Sequence, residues 1–216
     1  MIIDLNDAKN CILHKELSKY IKDKKMIEEV FESEGEHYNL LSYMANKIDN
    51  GIIVDIGTHR GYSALALSIN SSNKIYTYDI KIIKGGLENN INPIPDNISW
   101  TIEEVGGDPI MSDDGLKLLL DANLIFLDIA HGGVHETKIY NYLVDKKYKG
   151  ILLVDDIHYN GRMKRFWGNI ATDKHDLSSV GHSGGSSNEA SNRKLICGTG
   201  LIDFNNNVEI IGELND

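Results

Sequence analysis

A doubly wound α/β sheet is the fold this sequence predicts, on three observations. From Gly51 onward, short segments rich in Ile, Val, Leu and Tyr alternate with segments of helical periodicity. The first, fourth and fifth of the short segments are apolar on both parities, as central parallel strands covered on both faces must be. The tail then offers two extended pieces with no helix between them, which should pair antiparallel. With 216 residues, 41% of them hydrophobic, and three prolines, the chain can build one sizeable core. One domain over 1–216 is expected, with a helical preface over 1–50 and the α/β core over 51–216.

The preface rests on spacing. Leu17, Tyr20, Ile21, Ile27, Val30 and Phe31 recur at threes and fours, which predicts one amphipathic helix from Lys15 to Phe31. Leu40, Leu41, Met44 and Ile48 mark a second. The expected strands are IIVDIG, KIYTYDI, ISWTI, NLIFLDIA and GILLVDDI, and the expected helices GYSALALSI, DGLKLLLDA and HETKIYNYLVDKKY. KIIKGGLENNINPIPDN is weakly helical and reads mostly as loop. MKRFWGNIA should be helical, with HDLSSVG and GTGLIDF as the extended pair. The polar segment 182–197 between them reads as a surface loop or a substrate lid.

Charge narrows the function. Twenty-two basic against thirty-two acidic residues leave a net −10, which argues against a protein that grips nucleic-acid backbones. The clusters KDKK at 22–25 and RMKR at 162–165 read as solvated helix faces. The N-terminus has neither the basic start nor the apolar core of a signal peptide, and no run approaches the ~20 apolar residues of a membrane span. Cys11 and Cys197 lie far apart without metal-finger spacing. A soluble cytoplasmic protein is expected, with a small-molecule substrate and room for a homo-oligomer.

The first strand ends in DIGTHRG. A dinucleotide turn needs G-x-G-x-x-G so that backbone amides close on a pyrophosphate, and here His59 stands where the middle glycine would be. No Lys-Ser/Thr pair follows for a triphosphate. The turn suits a ligand with no phosphate to cradle, and S-adenosylmethionine is one. Asp79 ends the second strand about twenty residues beyond Gly57, where an acid can take ribose hydroxyls. Acids on the first two strands with this glycine turn between them resemble the class I methyltransferases, over about 160 residues. That resemblance implies a Rossmann-like seven-stranded sheet. It also implies cofactor contacts at Asp55, Gly57, Thr58, Gly61, Tyr62, Ser63, Asp79, Ile80 and Asp128. Read without it, Asp55 is a strand-end acid capping a turn, Asp79 a solvated loop acid and Ser63 a helix cap.

A second cluster follows the fourth and fifth strands. LDIAH carries Asp128 and His131, and VDDIH carries Asp155, Asp156 and His158. Three carboxylates at one sheet edge repel one another unless a proton or cation neutralises them, and an all-oxygen set suits Mg²⁺. An acid after strand four and an acid pair after strand five resembles the divalent-metal-dependent O-methyltransferases of catechol and caffeoyl-CoA type. The D-x-x-H spacing is closer to macrolide sugar O-methyltransferases and cephalosporin-hydroxylase-like proteins. That resemblance implies Asp128, Asp155 and Asp156 as metal ligands and His131, with Asp128, in catalysis on a hydroxyl. A sugar is the first acceptor expected and a catechol-like ring the second.

His158 is a weaker candidate for base or fourth ligand, and His135 weaker again. Glu136 should open the next helix, where an acid complements the dipole. Trp167, Phe166 and His182 have slight claims to substrate contact. The Asp-Asp pair also reads as a helix cap and its neighbour. Three other functions stay open: a metal-independent methyltransferase, a nicotinamide dehydrogenase, and a cofactor-binding module without catalysis.

Overall fold

The N-terminal preface does not form the single helix that its spacing predicts. The computed structural model describes residues 1–31, 37–79, 86–103, 105–180 and 197–212. It opens on strand β1 (Ile2–Asp4) and helix α1 (Leu5–Lys9), capped by the Asp4 carboxylate. A 3₁₀ segment Leu13–Tyr20, helix α2 (Lys24–Met26) and a π turn Ile27–Phe31 then replace the expected helix. The break has a tertiary cause. Ile21 bridges to Ile91, the Lys22 amide donates to the Asn90 carbonyl at 2.8 Å, and the Asn92 amide donates to the Tyr20 carbonyl at 2.7 Å. Asp23 then caps the next helix through the Lys25 amide. Helix α3 (Tyr38–Asn46) follows the second predicted periodicity.

The core strands form where predicted: β2 (Ile52–Ile56), β3 (Lys74–Asp79), β4 (Ile98–Ile102), β5 (Leu124–Leu127) and β6 (Ile151–Val154). Between them run α4 (Tyr62–Leu67), α5 (Leu87–Asn90), α6 (Asp113–Asp121) and α7 (Val134–Asp145). Helix α8 (Gly161–Asn169), β7 (Asp173–Asp176), β8 (Gly200–Asp203) and β9 (Glu209–Ile211) complete the order. The main sheet has seven strands in the order β4-β3-β2-β5-β6-β8-β7. The first five are parallel, and β8 enters antiparallel to both of its neighbours.

Strand β7 lies earlier than HDLSSVG suggests. Asp176 ends it by accepting the Ser178 amide at 3.0 Å, and Leu177 and Val180 turn inward to be buried. A short parallel pair, β1 with β9, was not expected, because three-residue strands carry too little periodicity to read. Among the described residues no helix is long and apolar enough to cross a membrane.

The double-parity strands place alternate side chains in two cores. Ile53, Leu124, Phe126, Ile151 and Leu153 face one cluster with α3, α4 and the preface. Val54, Ile125, Leu127, Leu152 and Val154 face the other, with residues of α6, α7 and α8. Strand order reverses between β2, with β3 on one side, and β5 on the other, which opens a crevice at their carboxyl ends.

Candidate functional site

The crevice is built on Asp55, which does not itself reach it. The side chain is fully buried beneath the first turn, and its Oδ2 accepts from Thr77 Oγ1 at 2.6 Å and Ser63 Oγ at 3.1 Å. Thr77 spends its hydroxyl proton there, so Thr58 Oγ1 donates to Thr77 at 2.5 Å. Three hydroxyls and one acid thus tie β2, β3, the turn and α4 together. Asp55 lines neither cavity described below, so the expected cofactor contact is replaced by a supporting one.

Burial pushes the Asp55 carboxyl up to about 6 against the lowering effect of the Thr77 and Ser63 hydrogen bonds. The folded chain therefore holds a proton that the unfolded chain releases near pH 4. Stability is fully present below that pH and falls as pH rises through about 6, by roughly 3 kcal/mol for a gap of some two pH units. Asp55→Asn, which cannot ionise, should flatten this slope. Urea titrations of both proteins at pH 4 and pH 7 measure the difference, and equal slopes would contradict the assignment.

The turn itself depends on backbone geometry. Gly57 has φ +111°, and a Cβ there would lie 1.8 Å from the Asp128 carbonyl oxygen. Its amide donates to the Tyr78 carbonyl at 2.9 Å, while His59 takes a left-handed conformation at φ +42°. The His59 amide donates to Asp79 Oδ2 at 2.7 Å. Gly61, also at positive φ, caps α4; a Cβ there would meet Leu87 and Ile91 at 2.9 Å. Like Asp55, it serves packing rather than the cavity lining.

A cavity of about 520 Å³ opens beyond this turn, within the range of small-molecule sites. Gly57, His59, Asp79, Asp128, His131 and His135 are among the residues that line it. Asp79 is positioned as the sequence predicts, whereas Ile80 lies outside the described residues. Sequence reasoning missed His59 as a lining residue, having weighed it only as an obstacle to pyrophosphate. His135 enters because its Nδ1 sits 3.3 Å from the Val105 carbonyl, a long-range contact that spacing does not reveal.

A smaller cavity of about 220 Å³ adjoins it, lined by Thr58, Tyr62 and Ser63 together with the acids. Here the expected carboxylate triad divides. Asp128 and Asp155 group with His37, their ligand atoms all within 4.8 Å of one another. Asp156 turns instead to His131, with Oδ2 3.2 Å from Nδ1, while His131 Nε2 lies 3.4 Å from Asp128 Oδ1. The adjacency of Asp155 and Asp156 explains the split, because successive residues project to different sides and Asp156 sits at φ +58°. His37 comes from the start of α3, which the sequence marks only as scaffold. Its one signal was a His-Tyr pair before a helix.

Electrostatics follow this grouping. Burial, and then the charge of Asp155, raise the Asp128 carboxyl well above the usual range. Burial also works to raise Asp155, but His37, 3.4 Å away, and the Thr199 hydroxyl, donating at 3.0 Å, outweigh it and hold the group low. Of the two, Asp128 therefore holds a proton more tightly than Asp155.

The remaining candidates lie elsewhere. His158 Nε2 is 2.6 Å from Asp176 Oδ2, paired away from the acids. Trp167, partly buried, packs on the second core beside buried Phe166. Glu136 does stand in the first turn of α7, but buried. His182 and most of the 182–197 segment fall outside the described residues.

No family model matches the sequence, and no curated protein matches it. Solved structures do match the fold. SAH-bound PaMTH1, a methyltransferase from Podospora anserina, superposes with a TM-score of 0.54 at 15% identity, covering 91% of this chain and 87% of that one. The chain has the class I methyltransferase fold. The O-methyltransferase TomG from Streptomyces achromogenes, solved in complex with SAM, gives 0.50 at 15% identity over 92% and 88%. Precorrin-6y C5,15-methyltransferase from Geobacter metallireducens GS-15 gives 0.51 at 15% over 74% and 81%. In the methyltransferase fold as this chain builds it, the acids and the large cavity occupy one sheet edge, at the reversal of strand order.

Proposed function

We propose that the chain is an S-adenosylmethionine-dependent methyltransferase acting on a hydroxyl of a small molecule. The observation that carries this reading is His131, which borders both the 520 Å³ cavity and the acid cavity and lies between two carboxylates. Bound in the larger cavity, the cofactor supplies an electrophilic methyl group. Asp79 keeps one carboxylate oxygen beyond the His59 amide for ribose hydroxyls. His131 is the base: a neutral imidazole carries one N–H, donates it to one neighbouring carboxylate, and accepts a hydroxyl proton at the other nitrogen. Tyr62 and Ser63, on the wall of the acid cavity, border the space left for the acceptor and the methionine portion.

A divalent ion fits the donor set of Asp128, Asp155 and His37, with Asp156 orienting the base rather than ligating. Such an ion supplies Lewis acidity that lowers the pKa of an acceptor hydroxyl. The imidazole makes the site less selective for Mg²⁺ than three carboxylates would, and admits Mn²⁺ or Zn²⁺. A metal-independent enzyme is the second reading, and one observation favours it. His37 lies 3.4 Å from Asp155 and, when protonated, is itself a counter-charge for the acids. Methyl transfer that survives exhaustive chelation would select that reading.

Calorimetric titration of the full chain tests the cofactor. S-adenosylhomocysteine is expected to bind and NAD not to bind, and Asp79→Ala should weaken the former roughly 10- to 100-fold, as loss of a charge-assisted hydrogen bond does. Tight NAD binding without S-adenosylhomocysteine binding would make the chain a nicotinamide enzyme instead.

A further inference from the structure

His131 borders a third space. A cleft of about 480 Å³ lies beside it, between the loop after β5 and the start of α8, with Tyr159, Asn160, Arg162 and Arg165 on its wall. Asn160 holds the loop in place: its Nδ2 donates to the His131 carbonyl at 2.8 Å, and its Oδ1 accepts the Arg162 and Met163 amides. The first-turn amides of α8 named here are thus already taken. What the cleft offers a ligand is side-chain charge. Arg162 and Arg165 stand one helical turn apart on the exposed side of α8, while Met163 and Phe166 anchor its other side in the core. Among the described residues neither guanidinium makes an ion pair, in a chain of net charge −10. Tyr159, half exposed, sets its ring against His131 with centroids 5.6 Å apart and adds an aromatic surface to the same cleft wall as the arginines.

We infer that the methyl acceptor is an acidic small molecule, a hydroxylated ring bearing a carboxylate or a phosphate. Arg162 and Arg165 hold its anionic group while its hydroxyl reaches His131. The inference rests on the proposed function for the identity of His131, but the anion site stands on the cleft alone. Guanidinium is the side chain suited to it, because its planar fork meets carboxylate and phosphate oxygens in pairs. Tyr159 would pack on the ring between the two ends, as aromatic side chains do in sites that take a body with a polar rim. From sequence alone these two arginines read as a solvated helix face, and that is the alternative the test must separate.

The full chain, loaded with S-adenosylhomocysteine, is titrated with D-glucuronate, glucose 6-phosphate and glucose at low and moderate salt. One or both anions should bind at least ~10-fold more tightly than glucose and weaken with salt. Glucuronate alone would mark a carboxylate acceptor, glucose 6-phosphate alone a phosphate. The double variant Arg162→Gln, Arg165→Gln should reduce the anions to the level of glucose and leave S-adenosylhomocysteine affinity unchanged, which also shows that it is folded. Equal binding of all three sugars, no binding of any, or full anion affinity in the double variant would overturn the inference. Should S-adenosylhomocysteine fail to bind, the proposed function falls. The same titrations on the unloaded chain then still decide whether the cleft selects anions.

Discussion

Gly57→Ala is expected to abolish S-adenosylhomocysteine binding and to lower stability by about 4 kcal/mol, a large fraction of an ordinary domain's reserve of about 5–15 kcal/mol. Two costs combine. The residue sits at φ +111°, where an L side chain is strained by about 1–3 kcal/mol. Its new methyl group would also stand 1.8 Å from the Asp128 carbonyl oxygen, far inside any contact distance, and overpacking of this kind costs about 1–3 kcal/mol. Neither partner can retreat easily. The Asp128 amide is bonded to the Ile56 carbonyl at 2.9 Å, and the Gly57 amide to the Tyr78 carbonyl at 2.9 Å, so movement of either opens the β2 ladder to β3 or β5. Relief by separation would displace Asp128 and the wall of the larger cavity together. Urea midpoints and calorimetry with S-adenosylhomocysteine measure both effects. A variant with normal stability and normal affinity would show that the turn does not require glycine.

The same turn shows what one sequence discloses. Glycines, strand-end acids and apolar runs are local signals, and they located β2 to β6, the turn and the acids of both strands correctly. The main sheet was legible for a physical reason: buried parallel strands need apolar residues on both parities, and few other elements do. Contacts between distant segments were not legible. The Ile21–Ile91 bridge that breaks the predicted helix is one. The approach of His37 to Asp155 is another, and nothing in EGEHYNLL specifies it without knowing how α3 packs. Asp55 failed differently. Its position was read correctly, but burial turned an expected ligand contact into a brace for the turn. The split between Asp155 and Asp156 is the same lesson at one-residue scale, because adjacency in sequence places side chains apart in space.

His131→Gly should slow methyl transfer by ~10²–10⁴-fold, the usual worth of a general base, while cofactor affinity stays unchanged. Glycine is the informative replacement. His131 occupies φ +48°, a conformation glycine adopts without strain, so the backbone and the Asn160 bond to its carbonyl should persist. The lost ring leaves a space between Asp128 and Asp156 of imidazole's own shape, and added imidazole should restore part of the rate. Rescue separates a proton acceptor from a residue that merely packs. Asp155→Asn supplies the contrast: it removes a carboxylate from the His37 cluster without touching His131, so divalent-ion binding should fall while imidazole has no effect. Asp156→Asn should lie between the two, with rate reduced through a misaligned ring and divalent-ion affinity retained. If His131→Gly turns over as fast as the wild type, proton transfer belongs to another group, and the carboxylates beside it become the next candidates.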